Sequence, residues 1–306
     1  MHGASNEANR RRRIRGRAHA DFDKVDLSRF LDAGAFAKCL IAKSTGATKV
    51  LAECTKAKVS PQGFKPSSIP GGFQLAFGES VNGGGKHAVV AVSMDKKHAP
   101  KLNAVQSDIA PLPPGAFNGK TPPACAKCMV PKYAATASIV ARKALSGPVG
   151  ALGCGGKPTP VTVVGEGLAG PLAAMLAYDL AASKCEVRLL LVDTPKPGNK
   201  EFSKLVSTAV PSSLTIQHLK APSAGIRLGG NAHSQFEHVG VVVALQGDAR
   251  PREIVTGKSK GVIVCGATSI YGVKATAPMK SCEAKAPQGS SPLVAQDGFL
   301  ADLAVT

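Results

Sequence analysis

One stretch restricts the fold more than any other: Val161-Thr162-Val163-Val164, then Gly165-Glu166-Gly167-Leu168-Ala169-Gly170, then an apolar run to about Ser183. It reads as a short buried strand, a glycine-rich turn and a helix. Leu172, Ala173, Ala174, Met175, Leu176 and Leu180 make that helix apolar almost all round, as expected for one enclosed between a sheet and its neighbours. Glu186–Val192 reads as a second strand. It closes on Asp193, 23 residues after Gly170. A strand, a tight turn, a helix and another strand predict a parallel crossover unit.

The glycines follow the G-x-G-x-x-G spacing of a dinucleotide-binding turn, in the strand-to-helix context that the fingerprint requires. On that reading Gly165 allows the turn, Gly167 lets backbone approach a pyrophosphate, and Gly170 permits close helix–strand packing. Asp193 would accept ribose hydroxyls. Further strands are expected at Leu214–Leu219, Val239–Leu245 and Gly261–Gly266. The predicted class is therefore α/β, with a Rossmann-like parallel sheet domain in the C-terminal half. Two features argue against a bound cofactor. Glu166 puts a carboxylate in the phosphate loop, and residues 221–237 form a long irregular connection. No cofactor is expected, NAD being the one this turn would admit.

Together, residues 161–176, 189–194, 207–210, 236–244 and 247–252 resemble the N-terminal, NAD-binding half of malate dehydrogenases of the lactate/malate dehydrogenase family. The resemblance implies cofactor contacts at Gly165, Gly167, Gly170 and Asp193. It also implies substrate-type arginines at Arg250 and, more loosely, Arg252. That family keeps its catalytic histidine in the C-terminal half, whereas the last of the seven histidines here is His238 and only 34 residues follow Gly272. The expected domain is thus a degenerate one, with no catalytic residue and no enzyme activity.

The rest of the chain divides on composition. Residues 1–20 form a basic arm with Arg10, Arg11, Arg12, Arg13, Arg15 and Arg17, read as RNA-contact candidates or as a targeting segment. Residues 21–95 are expected to form a small α+β unit. It would hold a short helix over 26–35, a hairpin of Cys39–Lys43 with Lys49–Cys54, and a second of Phe73–Phe77 with His87–Ser93. Residues 96–158 read as a Pro-rich connector with one helix, Tyr133–Leu145, ended by Ser146-Gly147-Pro148. The Rossmann-like domain spans 159–272, and 273–306 is a C-terminal extension.

The formal net charge of +18 favours a polyanionic partner. No apolar run reaches the roughly 18 residues of a membrane span. The eight scattered cysteines suit free thiols in a reducing compartment. Cys125 and Cys128 are weak metal candidates, because a structural zinc site needs further ligands. These features predict a non-catalytic structural subunit of a large, mitochondrial, RNA-containing assembly, most simply a ribosomal one. The alternatives are an NAD-dependent oxidoreductase of the malate dehydrogenase type, an accessory subunit of a respiratory or ATP synthase complex, and a nucleotide-sensing RNA-binding module.

Overall fold

The structure, a computed structural model, describes residues 24–56, 62–82, 85–95, 108–115, 125–150, 152, 154, 159–218, 236–246, 254 and 262–265. Its centre is an eight-stranded sheet. The strands are β1 (Gln62–Ile69), β2 (Phe73–Asn82), β3 (Gly85–Met94), β6 (Val161–Glu166), β7 (Val187–Val192), β9 (Ser213–His218), β11 (Val241–Leu245) and β12 (Val262–Cys265), in that spatial order. β1–β2–β3 is an antiparallel meander, β3 through β11 run parallel, and β12 closes the edge antiparallel. Two short pairs lie outside the sheet: β4 (Ile109–Pro111) with β5 (Met129–Pro131), and β8 (Gly198–Asn199) with β10 (Phe236–Glu237).

Strand alternation builds two cores. Val161, Val163, Leu189 and Leu191 face one side, Val164, Leu190 and Val192 the other, the period-2 pattern of a strand buried on both faces. On the first side lie three helices, α3 (Lys132–Gly150), α4 (Gly170–Ala182) and α5 (Lys200–Ala209). On the other lies α1 (Lys24–Thr45), with Leu27, Phe30, Leu31 and Leu40 buried at helical spacing. Right-handed crossovers that all advance in one direction must leave their helices on one face. That is why α3, α4 and α5 share a side.

The general α/β class expected from the sequence is present; the Rossmann arrangement is not. A dinucleotide fold needs a reversal of strand order beside its first strand, where the binding crevice opens. Here β6 sits between β3 and β7, and spatial order follows chain order throughout. No reversal occurs, and residues of the expected small α+β unit supply three strands of the same sheet.

The hairpin expected at Cys39–Lys43 and Lys49–Cys54 is instead the end of α1 and a second helix, α2 (Thr48–Lys56). A short apolar run such as Cys39-Leu40-Ile41-Ala42 carries no period that separates strand from helix. The longer spacing from Leu27 to Leu40 decides it. The turn between them is real: Gly46 takes φ +72° and parts the two helices. The second hairpin forms as β2 and β3. The helix expected at Tyr133–Leu145 also forms, but it continues to Gly150 with Pro148 inside its last turns.

The thiols are not free. Cys39–Cys54, Cys125–Cys128 and Cys154–Cys185 are disulfides, Cys265 is disulfide-bonded too, and among the described residues no cysteine remains reduced. The expectation of a reducing compartment is corrected on that ground, since such bonds persist where the surroundings are oxidising.

Candidate functional site

The sequence between β6 and α4 makes a sharp bend whose shape each glycine sets differently. A Cβ at Gly165 would lie 2.5 Å from the Ala173 Cβ, and one at Gly170 would lie 2.4 Å from the Thr194 Cβ and Cγ2. Those two glycines let α4 press onto β6 and the end of β7. Gly167 has a different role. Its φ is +54°, and a Cβ there would meet nothing within 4 Å. The bend is therefore held by packing at both ends and faces open space at its apex. One turn of 3₁₀ helix (Gly167–Ala169) leads into α4, and the Tyr133 hydroxyl donates to the Leu168 carbonyl at 3.2 Å.

A strand, a left-handed turn residue and a helix at the C-terminal edge of a parallel sheet make the elbow of α/β-hydrolase folds, where a nucleophilic serine occupies the turn in a G-x-S-x-G pattern. In this chain the five residues are Gly165-Glu166-Gly167-Leu168-Ala169. Laid on that pattern, Gly167 would fall where the serine stands, and it brings no side chain.

Asp193 follows β7 and takes an unusual left-handed φ of +49° for a non-glycine residue. Its carboxylate is already engaged. The His218 backbone N–H donates to Oδ1 at 2.6 Å, and the His218 ring Nδ1 lies 2.8 Å from Oδ2. An ionised carboxylate only accepts, so Nδ1 carries the proton, and in a neutral ring Nε2 is then the basic nitrogen. This is an acid–histidine pair at the ends of adjacent strands. Glu166, Val192 and Ile216 stand in register across β6, β7 and β9. The pair therefore sits on the same edge as the elbow, with His218 two strands, on the order of 10 Å, from it.

Beneath the pair, the buried Gln217 Nε2 donates to the Thr194 carbonyl at 2.6 Å. The Thr194 Oγ1 and Gln217 Oε1 atoms are buried without a hydrogen-bond partner. His238 and His87 lie elsewhere. His238, partly buried just before β11, is held down to about 3 by burial and then by Lys196. His87 bonds Thr162 at 2.8 Å at the opposite end of the sheet and is held down to about 4 by burial, then by Arg188 and Arg29.

Of the residues expected from sequence, Gly165, Gly167 and Gly170 do form one turn, and Asp193 lies on the next strand end. They are joined by His218, which sequence reasoning missed; its signal was a histidine at the C-terminal end of a predicted strand. Arg10, Arg11, Arg12, Arg13, Arg15, Arg17, Arg250 and Arg252 lie outside the described residues. Cys125 and Cys128 are bonded to each other. Among the described residues no group of three or more His, Cys, Asp or Glu could hold a metal, and no helix is long and apolar enough to cross a membrane.

No protein family and no curated protein matches the sequence. Solved structures do resemble the fold. A triacylglycerol lipase from Penicillium expansum matches with TM-score 0.55 at 14% identity, over 81% of this chain and 86% of that one. A lipase from Rhizopus microsporus var. chinensis gives 0.56 at 14%, over 74% and 76%. The Rhizomucor miehei triacylglyceride lipase gives 0.51 at 15%, over 70% and 78%.

This likeness is to lipases and not to malate dehydrogenases, so the resemblance drawn from the glycine turn is corrected. The readings built on it fall with it: the degenerate dehydrogenase, the oxidoreductase, and the subunit of a ribosomal, respiratory or ATP synthase assembly. The RNA partner and the mitochondrial setting are corrected by the same likeness together with the disulfides. Neither the fold nor these neighbours gives support to NAD.

Proposed function

We propose that this chain is a lipase-fold protein of an oxidising compartment, such as the cell exterior, that engages a carboxylic ester or fatty-acyl group at the Gly167 elbow. The observation that carries this reading is the elbow itself, with its left-handed apex open to approach. The backbone N–H after the apex, that of Leu168, is the kind of donor that receives an ester carbonyl oxygen in this fold. The ester class comes from the triacylglycerol lipases that share the fold. The disulfides support the compartment.

Gly167 cannot form an acyl-enzyme, because it has no nucleophilic atom. A second reading is that esters are turned over by water, and the Asp193–His218 pair favours it. In that route His218 would take a proton from the attacking water while Asp193 stabilises the resulting imidazolium.

The deciding experiment follows a fluorescent fatty acid and a short-chain p-nitrophenyl ester with the full-length protein. Saturable binding of the fatty acid, lost in Gly167→Trp, is the expected result. Binding that is absent, or indifferent to that substitution, would overturn the reading. Ester turnover that resists serine-directed phosphonates and vanishes in His218→Gln would select the water route. Turnover abolished by phosphonate would place a nucleophile elsewhere and sink both.

A further inference from the structure

We propose that Cys125 and Cys128 form a thiol–disulfide exchange site that trades electrons with a dithiol, with Cys125 as the attacked sulfur. The two lie three residues apart at the entry to β5 and are joined. Their surroundings differ. Cys128 is completely buried in the main core, while Cys125 is partly exposed and Ala126 and Lys127 between them are exposed. An incoming thiolate can therefore reach only the first sulfur. The Cys-x-x-Cys spacing and a neighbouring lysine both favour the thiolate form that such exchange needs.

The turn does not depend on its disulfide. The Asn199 side chain donates to the Lys127 carbonyl at 2.7 Å and accepts from the Met129 N–H at 3.0 Å. The Leu112 N–H bonds the Cys128 carbonyl at 2.9 Å, and the Cys128 N–H bonds the Cys125 carbonyl at 3.1 Å. With the backbone held by these bonds, two thiols would stay within reach of one another, so opening and reclosing need no refolding. The other described bridges are built differently. Cys39–Cys54 is buried at both ends between α1 and α2, and Cys154–Cys185 spans 31 residues. A bridge spanning three residues removes far less freedom from the unfolded chain than either, so stability gives little account of it.

The exchange balances as follows. A thiolate of the external dithiol attacks Cys125 Sγ; the Cys125–Cys128 bond breaks, and its electron pair leaves on Cys128, which takes up a proton. The second thiol of the reductant then attacks the reductant's own sulfur in the mixed disulfide and releases Cys125. The dithiol is oxidised to a disulfide, and two electrons and two protons pass to the pair.

Graded reduction of the native full-length protein with dithiothreitol, quenched by alkylation and read by mass spectrometry, tests this. Cys125–Cys128 is expected to open at a reductant concentration at least tenfold below that for Cys39–Cys54 or Cys154–Cys185, with the far-ultraviolet circular dichroism unchanged. Opening together with or after those bridges, or only as the dichroism collapses, would overturn the proposal. The attacked sulfur is checked in Cys128→Ser and Cys125→Ser: the Cys125 thiol is expected to react with an aromatic disulfide at least tenfold faster than the Cys128 thiol. Equal or reversed rates would refute the assignment. If either variant fails to fold, the graded reduction of the wild type still decides.

Discussion

Thr194 lies so close under the start of α4 that one methyl group on Gly170 would have no room, at 2.4 Å from two of its carbons. Gly170→Ala should therefore lower stability by about 1–3 kcal/mol, the usual cost of overpacking a filled core. Denaturant melts measure this, and an unchanged midpoint would show that Thr194 can move aside. Gly167 is the contrasting case, since space is open there and only the left-handed backbone resists a side chain. Gly167→Ser should fold with a loss of about 1–3 kcal/mol. Labelling by a serine-directed phosphonate in this variant, and not in the wild type, would report a functional elbow around it. The histidines set a pH response. His87, held down to about 4, and His238, held down to about 3, are neutral in the fold, whereas an unfolded imidazole titrates near about 6.5. Below that value the unfolded chain binds the extra protons, so the stability they contribute is whole above about pH 6.5 and is lost as pH falls towards 4 and 3. Melting temperatures recorded from pH 8 to 4 should fall through that window, and His87→Gln should flatten the fall.

Between elements, the most consequential polar contact joins α3 to α4. Arg142 Nε donates to the Asp179 Oδ2 at 2.7 Å, and its Nη2 reaches Oδ1 and the Pro113 carbonyl, each at 3.4 Å. Both side chains are buried. Burial raises the Asp179 carboxyl and Arg142 opposes that shift. Removing one partner strands a charge, so Arg142→Met or Asp179→Leu alone should cost about 3–5 kcal/mol, while the double variant should recover most of it. A double-mutant cycle on unfolding free energies checks this. The elements themselves were unevenly legible in the sequence. β6, α4, β7, β9, β11 and the β2–β3 hairpin followed from apolar runs bounded by turn residues. α2 was misread because its apolar residues Val50, Leu51 and Ala52 stand side by side in a short segment, too few to show a helical period. α5 went unassigned, although Asn199 caps it by accepting from the Phe202 N–H at 3.1 Å and Glu201 occupies its first turn, a recognisable start signal.

For the molecule as a whole, the glycine turn was legible but its meaning was not. Dinucleotide folds and hydrolase elbows both need a strand, a glycine-relieved turn and a packed helix, so residues 161–193 satisfy either pattern. What separates them is the order of strands in space, which no local stretch encodes. The turn holds no serine, the residue that would have tipped the reading. The pairing of Asp193 with His218 is likewise a contact between strand ends 25 residues apart, invisible to any motif. That strand order has a further consequence, for biosynthesis. Every strand of the sheet lies beside the one that precedes it in the sheet's chain order. A chain emerging from its N-terminus can thus lay each new strand on an edge already in place, and none has to hold its place for a partner yet to be made. The longest pause falls between Met94 and Val161, the stretch that carries α3. Once β7 has been added, Cys185 is close enough for Cys154 to seal the growing half before the rest of the protein has been synthesised.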